Sequence, residues 1–503
     1  VELELRGITK RFPGVLASDH VDLKVRSGEV LALLGENGAG KTTLMNILYG
    51  LYDADEGEIL IDGTPRDFSG PGDAIAAGIG MVHQHFMLVP VFSVAENVVL
   101  GIEPTSFGGL IDAKEARREV REISERYNLQ VDPDAIIEDI PVGIQQRVEI
   151  IKVLFRSAEV LVFDEPTAVL TPQEVEEFFG IINMLRDSGK AIIFISHKLK
   201  EVLHIADRVA VLRRGKIVGN AIPSETDEQA LAELMVGRPV DLVVDKADAQ
   251  PADEVLEVRD LVVYDDLDHL SVNGVSFDVK AGEIVCVAGV QGNGQTELVE
   301  AITGLRDLSG GSVSLAGVDV SKASPRDMHT WGTAHVPEDR QRSGLVGQFS
   351  VAENMVLDSY YAAPYSKGVN MDWDAVNQHA AELVLDYDVR TPSVHTAGSG
   401  LSGGNQQKMI VAREFSRGIR LVVASQPTRG VDVGSIEYIH EQIVRIRDEG
   451  AALLIVSTEL DEVMALADRI IVMFRGQVVA ETRPEETTTA QLGLAMAGAG
   501  GDR

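Results

Sequence analysis

Residues 30–43, Val30-Leu31-Ala32-Leu33-Leu34-Gly35-Glu36-Asn37-Gly38-Ala39-Gly40-Lys41-Thr42-Thr43, constrain the fold more than any other stretch. The apolar run Val30 to Leu34 reads as a buried strand, and Leu44, Ile47 and Leu48 continue with helical spacing. Between them lies G-x-x-x-x-G-K-T, so the order is strand, glycine-rich loop, helix, as a phosphate-binding loop requires. Gly35, Gly38 and Gly40 let the backbone wrap close to a polyphosphate with its amides turned inward. The helix that follows adds the positive end of its dipole. Lys41 would reach the β- and γ-phosphates, and the Thr42 hydroxyl would ligate Mg²⁺. The chemistry implied is nucleotide binding on an α/β fold.

At 503 residues the chain exceeds what a single core supports, so two or more domains are expected. A formal net charge of −33 argues against a nucleic-acid backbone as partner. Cys286 is the only cysteine and sits in Ile284-Val285-Cys286-Val287-Ala288, the setting of a small buried hydrophobe rather than a reactive thiol. No apolar stretch approaches the length of a membrane span, and no signal-peptide pattern opens the sequence. The expectation is a chain on the cytoplasmic side that reaches a membrane only through a partner.

The sequence repeats itself. Ser27-Gly28-Glu29-Val30 returns as Ala281-Gly282-Glu283-Ile284, an offset of 254, and Ala206-Asp207-Arg208-Val209 returns as Ala467-Asp468-Arg469-Ile470, an offset of 261. Between them Ser93-Val94-Ala95-Glu96-Asn97 recurs at Ser350 to Asn354. Two domains are therefore expected, 1–240 and 255–503, joined by a polar, proline-bearing linker at 241–254. In the first half, alternating Val1 to Leu5 and the hairpin-like stretch 57–63 suggest an antiparallel edge. The runs 30–34, 160–163 and 191–195 suggest buried parallel strands. Asp112-Ala113-Lys114-Glu115 has the pattern of a capping box, opening an amphipathic helix to about Asn128 within a more helical segment at 85–157.

Glu159-Val160-Leu161-Val162-Phe163-Asp164-Glu165-Pro166 is an apolar strand ending in two carboxylates. Alone, such a pair is a helix cap or a solvated turn. With a phosphate loop upstream, Asp164 would hold Mg²⁺ and Glu165 would polarise the attacking water. Gln84, recommended by its position alone, is either a surface residue or a group that touches the metal or the γ-phosphate. His197, after Ala191 to Ser196, puts an imidazole at a strand's C-terminal edge, where α/β sites form; it is either a site group or a structural histidine. Phe12 is either an adenine-stacking ring or core.

The ordered set Gly35 to Thr43, Gln84, Asp164-Glu165-Pro166-Thr167 and His197, with its duplicate, resembles the ATP-binding cassette ATPases. The tandem arrangement is similar to the ATPase subunits of bacterial simple-sugar and nucleoside importers. Met81 to Val89, Val336-Pro337-Glu338-Asp339-Arg340 and Ser425 to Gly430 are most similar to the nucleoside branch. The resemblance implies two nucleotide-binding domains, each a RecA-like core with an antiparallel β subdomain and a helical subdomain. It implies ATP and Mg²⁺ as cofactors and a peripheral position at the cytoplasmic face of the membrane. It also implies two transmembrane permease subunits, alike or different, with an extracytoplasmic substrate-binding protein as indirect partner. Docking of the permease would involve the segment after Gln84, whose Phe86, Met87, Leu88, Val89 and Phe92 are either a contact patch or subdomain core.

In that family each ATP lies between one cassette's phosphate loop and the other's signature motif. Leu401-Ser402-Gly403-Gly404-Asn405-Gln406 matches the signature, so Ser402, Gly403, Gly404 and Asn405 would give the nucleotide its second grip. The first half has Ile140-Pro141-Val142-Gly143-Ile144-Gln145 instead, and Pro141 lacks both hydroxyl and amide donor. Conversely, the second loop keeps Gly289, Gly292, Asn293, Gly294 and Thr296 but has Gln295 in place of Lys41. Ser425-Gln426 stand for Asp164-Glu165, Thr458 for His197, and Glu338 for Gln84, which should repel a polyphosphate. Losses sort by site rather than by half, which implies one competent and one degenerate site. Rival classes are a soluble twin-cassette factor acting on ribosomes or in regulation, a DNA-repair or chromosome ATPase, and a scaffold that binds without turnover. The short acidic linker, the lack of a coiled coil or zinc cysteines, and the complete first set stand against them in turn.

Overall fold

The computed structural model describes residues 1–13, 15–83, 86–105, 110–167, 170, 172–240 and 244–498. It separates into two compact units, Val1–Val240 and Asp241–Arg503.

The first unit holds two sheets. The smaller is antiparallel in the order β2 (Val15–Arg26), β1 (Glu2–Phe12), β4 (Glu56–Ile61), β5 (Thr64–Arg66). The alternation read at the start of the chain therefore belongs to an interior strand: Leu3 and Leu5 are buried, and β1 is paired on both sides. The larger sheet runs β10 (Lys216–Ala221), β9 (Arg208–Arg213), β3 (Val30–Leu34), β8 (Ala191–Ile195), β7 (Val160–Asp164), β6 (Ile79–Val82). It is parallel except for β10. β3 and β8 are buried at every residue, as strands covered on both faces must be. The order places β3, β8 and β7 side by side, so the loops leaving their C-terminal ends share one edge, the position where α/β sheets build sites.

The helical segment comprises Val94–Val99, Ala113–Arg126 and Val142–Phe155. The capping box at 112–115 is only half formed. Asp112 accepts from the Lys114 and Glu115 amides, but its own N–H donates to the Pro104 carbonyl and Glu115 pairs with Arg118.

The second unit repeats the plan. Its antiparallel sheet runs Leu270–Lys280, Glu254–Tyr264, Gly310–Leu315, Val318–Asp319. Its main sheet runs Thr333–Val336, Leu421–Ser425, Ala452–Ser457, Ile284–Ala288, Arg469–Phe474, Gln477–Thr482. Cys286 is wholly buried in the central strand, and burial pushes its thiol up. The polar stretch after Asp245 is mostly exposed yet strapped down: Lys246 donates to the Leu466 and Ala467 carbonyls and pairs with Asp468. The buried Arg447 bonds to the Ala247 carbonyl and to Asp468.

Candidate functional site: the phosphate loop and its carboxylates

The first loop leaves β3 at Gly35. A Cβ at Gly35 would come within 2.4 Å of the Leu212 carbonyl oxygen, and one at Gly40 within 2.2 Å of that of Ala17. Gly40 also has φ 107°, outside the range of other residues, so both positions are fixed by close backbone approach. The helix Lys41–Leu48 begins with no side-chain cap and no acidic residue in its first turn. Its positive end therefore faces the loop unneutralised by its own residues. Lys41 Nζ donates to the Gly35 carbonyl at 2.6 Å and to that of Glu36 at 3.1 Å. Burial lowers its pKa, with Glu165 and Asp164 pulling the other way.

Asp164 ends β7, and Glu165 turns away with φ 47°, its amide donating to the Ile195 carbonyl at 2.9 Å. His197 Nδ1 lies 3.1 Å from Glu165 Oε1. The two neighbouring carboxyls have opposite electrostatics. Asp164 is pushed up to about 6 by burial, then by the charge of Glu165, with Lys41 opposing. For Glu165 burial works upward too, but the hydrogen bond and charge of His197, with Lys41 and Lys198, hold it below the usual carboxylate range. An ionised Glu165 accepts only, so His197 Nδ1 carries the proton in this bond. The sheet edge thus joins Lys41, Asp164, Glu165 and His197 within one unit. Thr42 is exposed on the first turn of the loop helix.

Among the described residues no cluster of three or more His, Cys, Asp or Glu side chains forms a metal cage. One hydroxyl and one carboxylate suit Mg²⁺ that completes its shell with phosphate oxygens and water. Gln84 lies outside the described residues. Phe12 closes β1 with an edge-to-face contact to Tyr52, 5.6 Å between centroids, and the residue is 37% exposed.

In the second unit Ser402 caps the helix Gly403–Phe415, its Oγ accepting from the Asn405 amide at 3.4 Å and from Asn405 Nδ2 at 2.8 Å. Gly404 has no room for a side chain: a Cβ would come within 2.3 Å of Ser435 Oγ. Pro141 stands at the matching N-cap of Val142–Phe155 and gives no side-chain cap.

Three residues escaped the sequence reading. Glu201 accepts from the Thr167 hydroxyl at 2.6 Å and from Ser196 Oγ at 3.4 Å, tying together the exits of β7 and β8. Arg429 pairs with Glu338 at 2.6 Å, so the carboxylate expected to repel phosphate has its own counter-charge. Arg340 donates to the Arg429 and Gly430 carbonyls at 2.7 and 3.1 Å. The signal for it was the longer offset of the repeat beyond Glu338, where the second half carries extra residues.

The ABC transporter family model matches residues 18–168 and again 272–429. The chain belongs to the ABC transporter family. It is a tandem-cassette ATPase, with one cassette match in each half of the sequence. A nucleoside import ATP-binding protein of Lactococcus lactis is 51% identical over 99% of this chain and 98% of its own length. A guanosine import ATP-binding protein of Bacillus subtilis is 50% identical, with 99% and 97% covered. A glucose import ATP-binding protein of Haloferax volcanii is 47% identical, with 99% and 96% covered. The structure of an archaeal ribosome recycling factor bound to a ribosomal stalk protein matches the fold over 98% of this chain and 92% of its own, at TM-score 0.62 and 18% identity. At that identity the likeness concerns the cassette fold alone. No helix among the described residues is long and apolar enough to cross a membrane.

Proposed function

We propose that the chain energises an importer of nucleosides or simple sugars from the cytoplasmic face of the membrane, hydrolysing ATP at one competent site. The carrying observation is the convergence of Lys41, Asp164, Glu165 and His197 at one sheet edge. Import, and the nucleoside class ahead of sugars, is supported by whole-length relatives at 50–51% identity whose names carry nucleoside and guanosine import. The competent site pairs the first loop with Ser402 to Asn405, and the second loop pairs with the eroded motif at Pro141.

In this reading the loop amides and Lys41 hold the phosphates. Thr42 and Asp164, with Gln84, would hold Mg²⁺, which would supply neutralising charge to the bound phosphates. Glu165, ionised and oriented by His197, draws a proton from the attacking water as its oxygen bonds to the γ-phosphorus and the bond from that phosphorus to the bridging oxygen breaks, releasing ADP. ATP draws the cassettes together and hydrolysis parts them, moving two permease subunits between outward- and inward-facing states. Met87 at 64% exposure and Val91 at 66%, beside half-buried Phe86, Leu88, Val89 and Phe92, offer an apolar surface to the permease. Glu165→Gln should leave nucleotide binding intact and lower steady-state hydrolysis by about 10²–10⁴-fold, the share of a general base. A variant that turns over at the parental rate would remove Glu165 from this role.

A further inference from the structure

The second phosphate loop has lost its lysine but not its shape. Gly292 and Gly294 keep φ 88° and 94°, and a Cβ at Gly294 would come within 2.0 Å of the Ser271 carbonyl oxygen, as at Gly40 in the first loop. Gln295 fills the lysine position, 6% exposed, its Oε1 accepting from the Asn293 amide at 3.2 Å. Neither it nor Ser425 brings charge. Two charged residues with no charged counterpart in the first half stand at this loop instead. Glu338 Oε2 accepts from the Thr296 hydroxyl at 3.3 Å, and Thr296 is the repeat of the metal-position Thr42. Glu338 Oε1 accepts from Gln291 Nε2, on the loop itself, at 3.2 Å, and from Arg429 at 2.6 Å. By the repeat offsets their counterparts are Gln84 and Ala168, both neutral. Arg340 fixes the backbone that carries Arg429 through the Arg429 and Gly430 carbonyls.

We propose that the second loop is a nucleotide site re-equipped from outside its motif, with Arg429 supplying the phosphate-binding charge absent at Gln295 and Glu338 the divalent-cation carboxylate absent at Ser425. This rests on the reading of the chain as a tandem ATP-binding cassette. Without nucleotide the guanidinium and carboxylate neutralise each other at the loop mouth, where Arg429 is 48% exposed at its side chain. A polyphosphate with Mg²⁺ lets both exchange partners, guanidinium to phosphate and carboxylate to cation, so neither charge is left unpaired. Unpaired, Glu338 would repel the ligand; paired, it recruits the cation.

The test is equilibrium binding of the β,γ-imido analogue of ATP, whose bridging nitrogen resists hydrolysis, to the full chain, with and without Mg²⁺, in a Lys41→Ala background that disables the first loop. About one saturable site per chain should remain, against about two in the parent. Adding Arg429→Ala should weaken it roughly tenfold or more, the worth of a charged hydrogen bond. Arg429→Lys should retain most of the affinity, with an unchanged melting temperature as proof of folding. Glu338→Gln should abolish the gain in affinity from Mg²⁺. Loss of all binding in Lys41→Ala, or unchanged or tighter binding in Arg429→Ala and Glu338→Gln, would overturn the proposal, the last marking the pair as a plug. A parent chain that binds no nucleotide would overturn the cassette reading along with it.

Discussion

Asp164 and Glu165 are consecutive, and their carboxyls shift in opposite directions. Asp164, raised to about 6 first by burial, is costly to ionise in the folded chain. Its folded pKa lies above the ordinary Asp value of about 4, so the native state binds the proton more tightly than the unfolded state. Stability is therefore lost as pH rises from about 4 through about 6, by up to ~3 kcal/mol at one pKa unit per 1.36 kcal/mol. Asp164→Asn should raise the melting temperature of the first unit at pH 7.5 and change it little at pH 4, as differential scanning calorimetry would read. A carboxylate kept at that cost suits a group whose charge serves a bound cation. For Glu165, burial is outweighed by the His197 hydrogen bond. His197→Ala removes that restraint, so the carboxyl pKa rises and the acid limb of the hydrolysis pH profile should move to higher pH. A histidine with a purely structural part would lower the rate without moving that limb. The positive φ of Glu165 carries no such message, because Gln426 adopts φ 50° at the repeated position with no acid to present. The turn belongs to the fold, and the side chain alone carries the chemistry.

The strand–loop–helix unit at 30–48 is legible because sequence and sterics agree: only glycine fits where the chain passes the Ala17 and Leu212 carbonyls. Gly40→Ala places a Cβ against backbone and forces φ out of the left-handed region, so a loss of about 2 kcal/mol or more is expected in thermal unfolding. Nucleotide binding at the first loop should go with it. The buried strands were equally readable from the unbroken apolar runs 30–34, 160–163 and 191–195, the second strand extending one residue further to Asp164. Local pattern failed where the decisive partner is distant. The alternation at Leu3 and Leu5 fits an edge strand or an interior one, and only pairing to β2 and β4 decides. Asp112 and Glu115 have capping-box spacing, but the Pro104 carbonyl takes the amide the box would use. The Lys41, Asp164, Glu165 and His197 set was legible because each follows a strand of one sheet. Glu201, Arg340 and Arg429 were not, because each acts through a partner that periodicity does not bring near.

The duplication is what makes the losses informative. Each unit keeps a full cassette core, yet the first presents a complete phosphate loop with a proline at its helix cap, and the second a complete signature with a neutral loop. If the units worked independently, the first would have no use for Ser402 and the second none for Lys41. The proposed pairing across the chain would give every retained group a task. Ser402 itself has two possible tasks, which substitution separates. As an N-cap it accepts from Asn405, and its loss should cost about 1 kcal/mol of stability in the second unit. As the second grip on the γ-phosphate it should matter to turnover far beyond that. Ser402→Ala is expected to lower hydrolysis roughly tenfold or more, by the loss of a hydrogen bond to a charged group. Pro141→Ala, at the matching cap of the first unit, should leave the rate within about twofold, because the second loop proposed as its partner has Gln426 where the first half has the general base Glu165. Ser402→Thr, which keeps the hydroxyl and the cap, should recover most of the activity. Steady-state ATPase rates and melting curves on the same four proteins decide the matter. Equal effects at Ser402 and Pro141, or a loss at Ser402 no larger than its cap is worth, would return hydrolysis to the first unit alone.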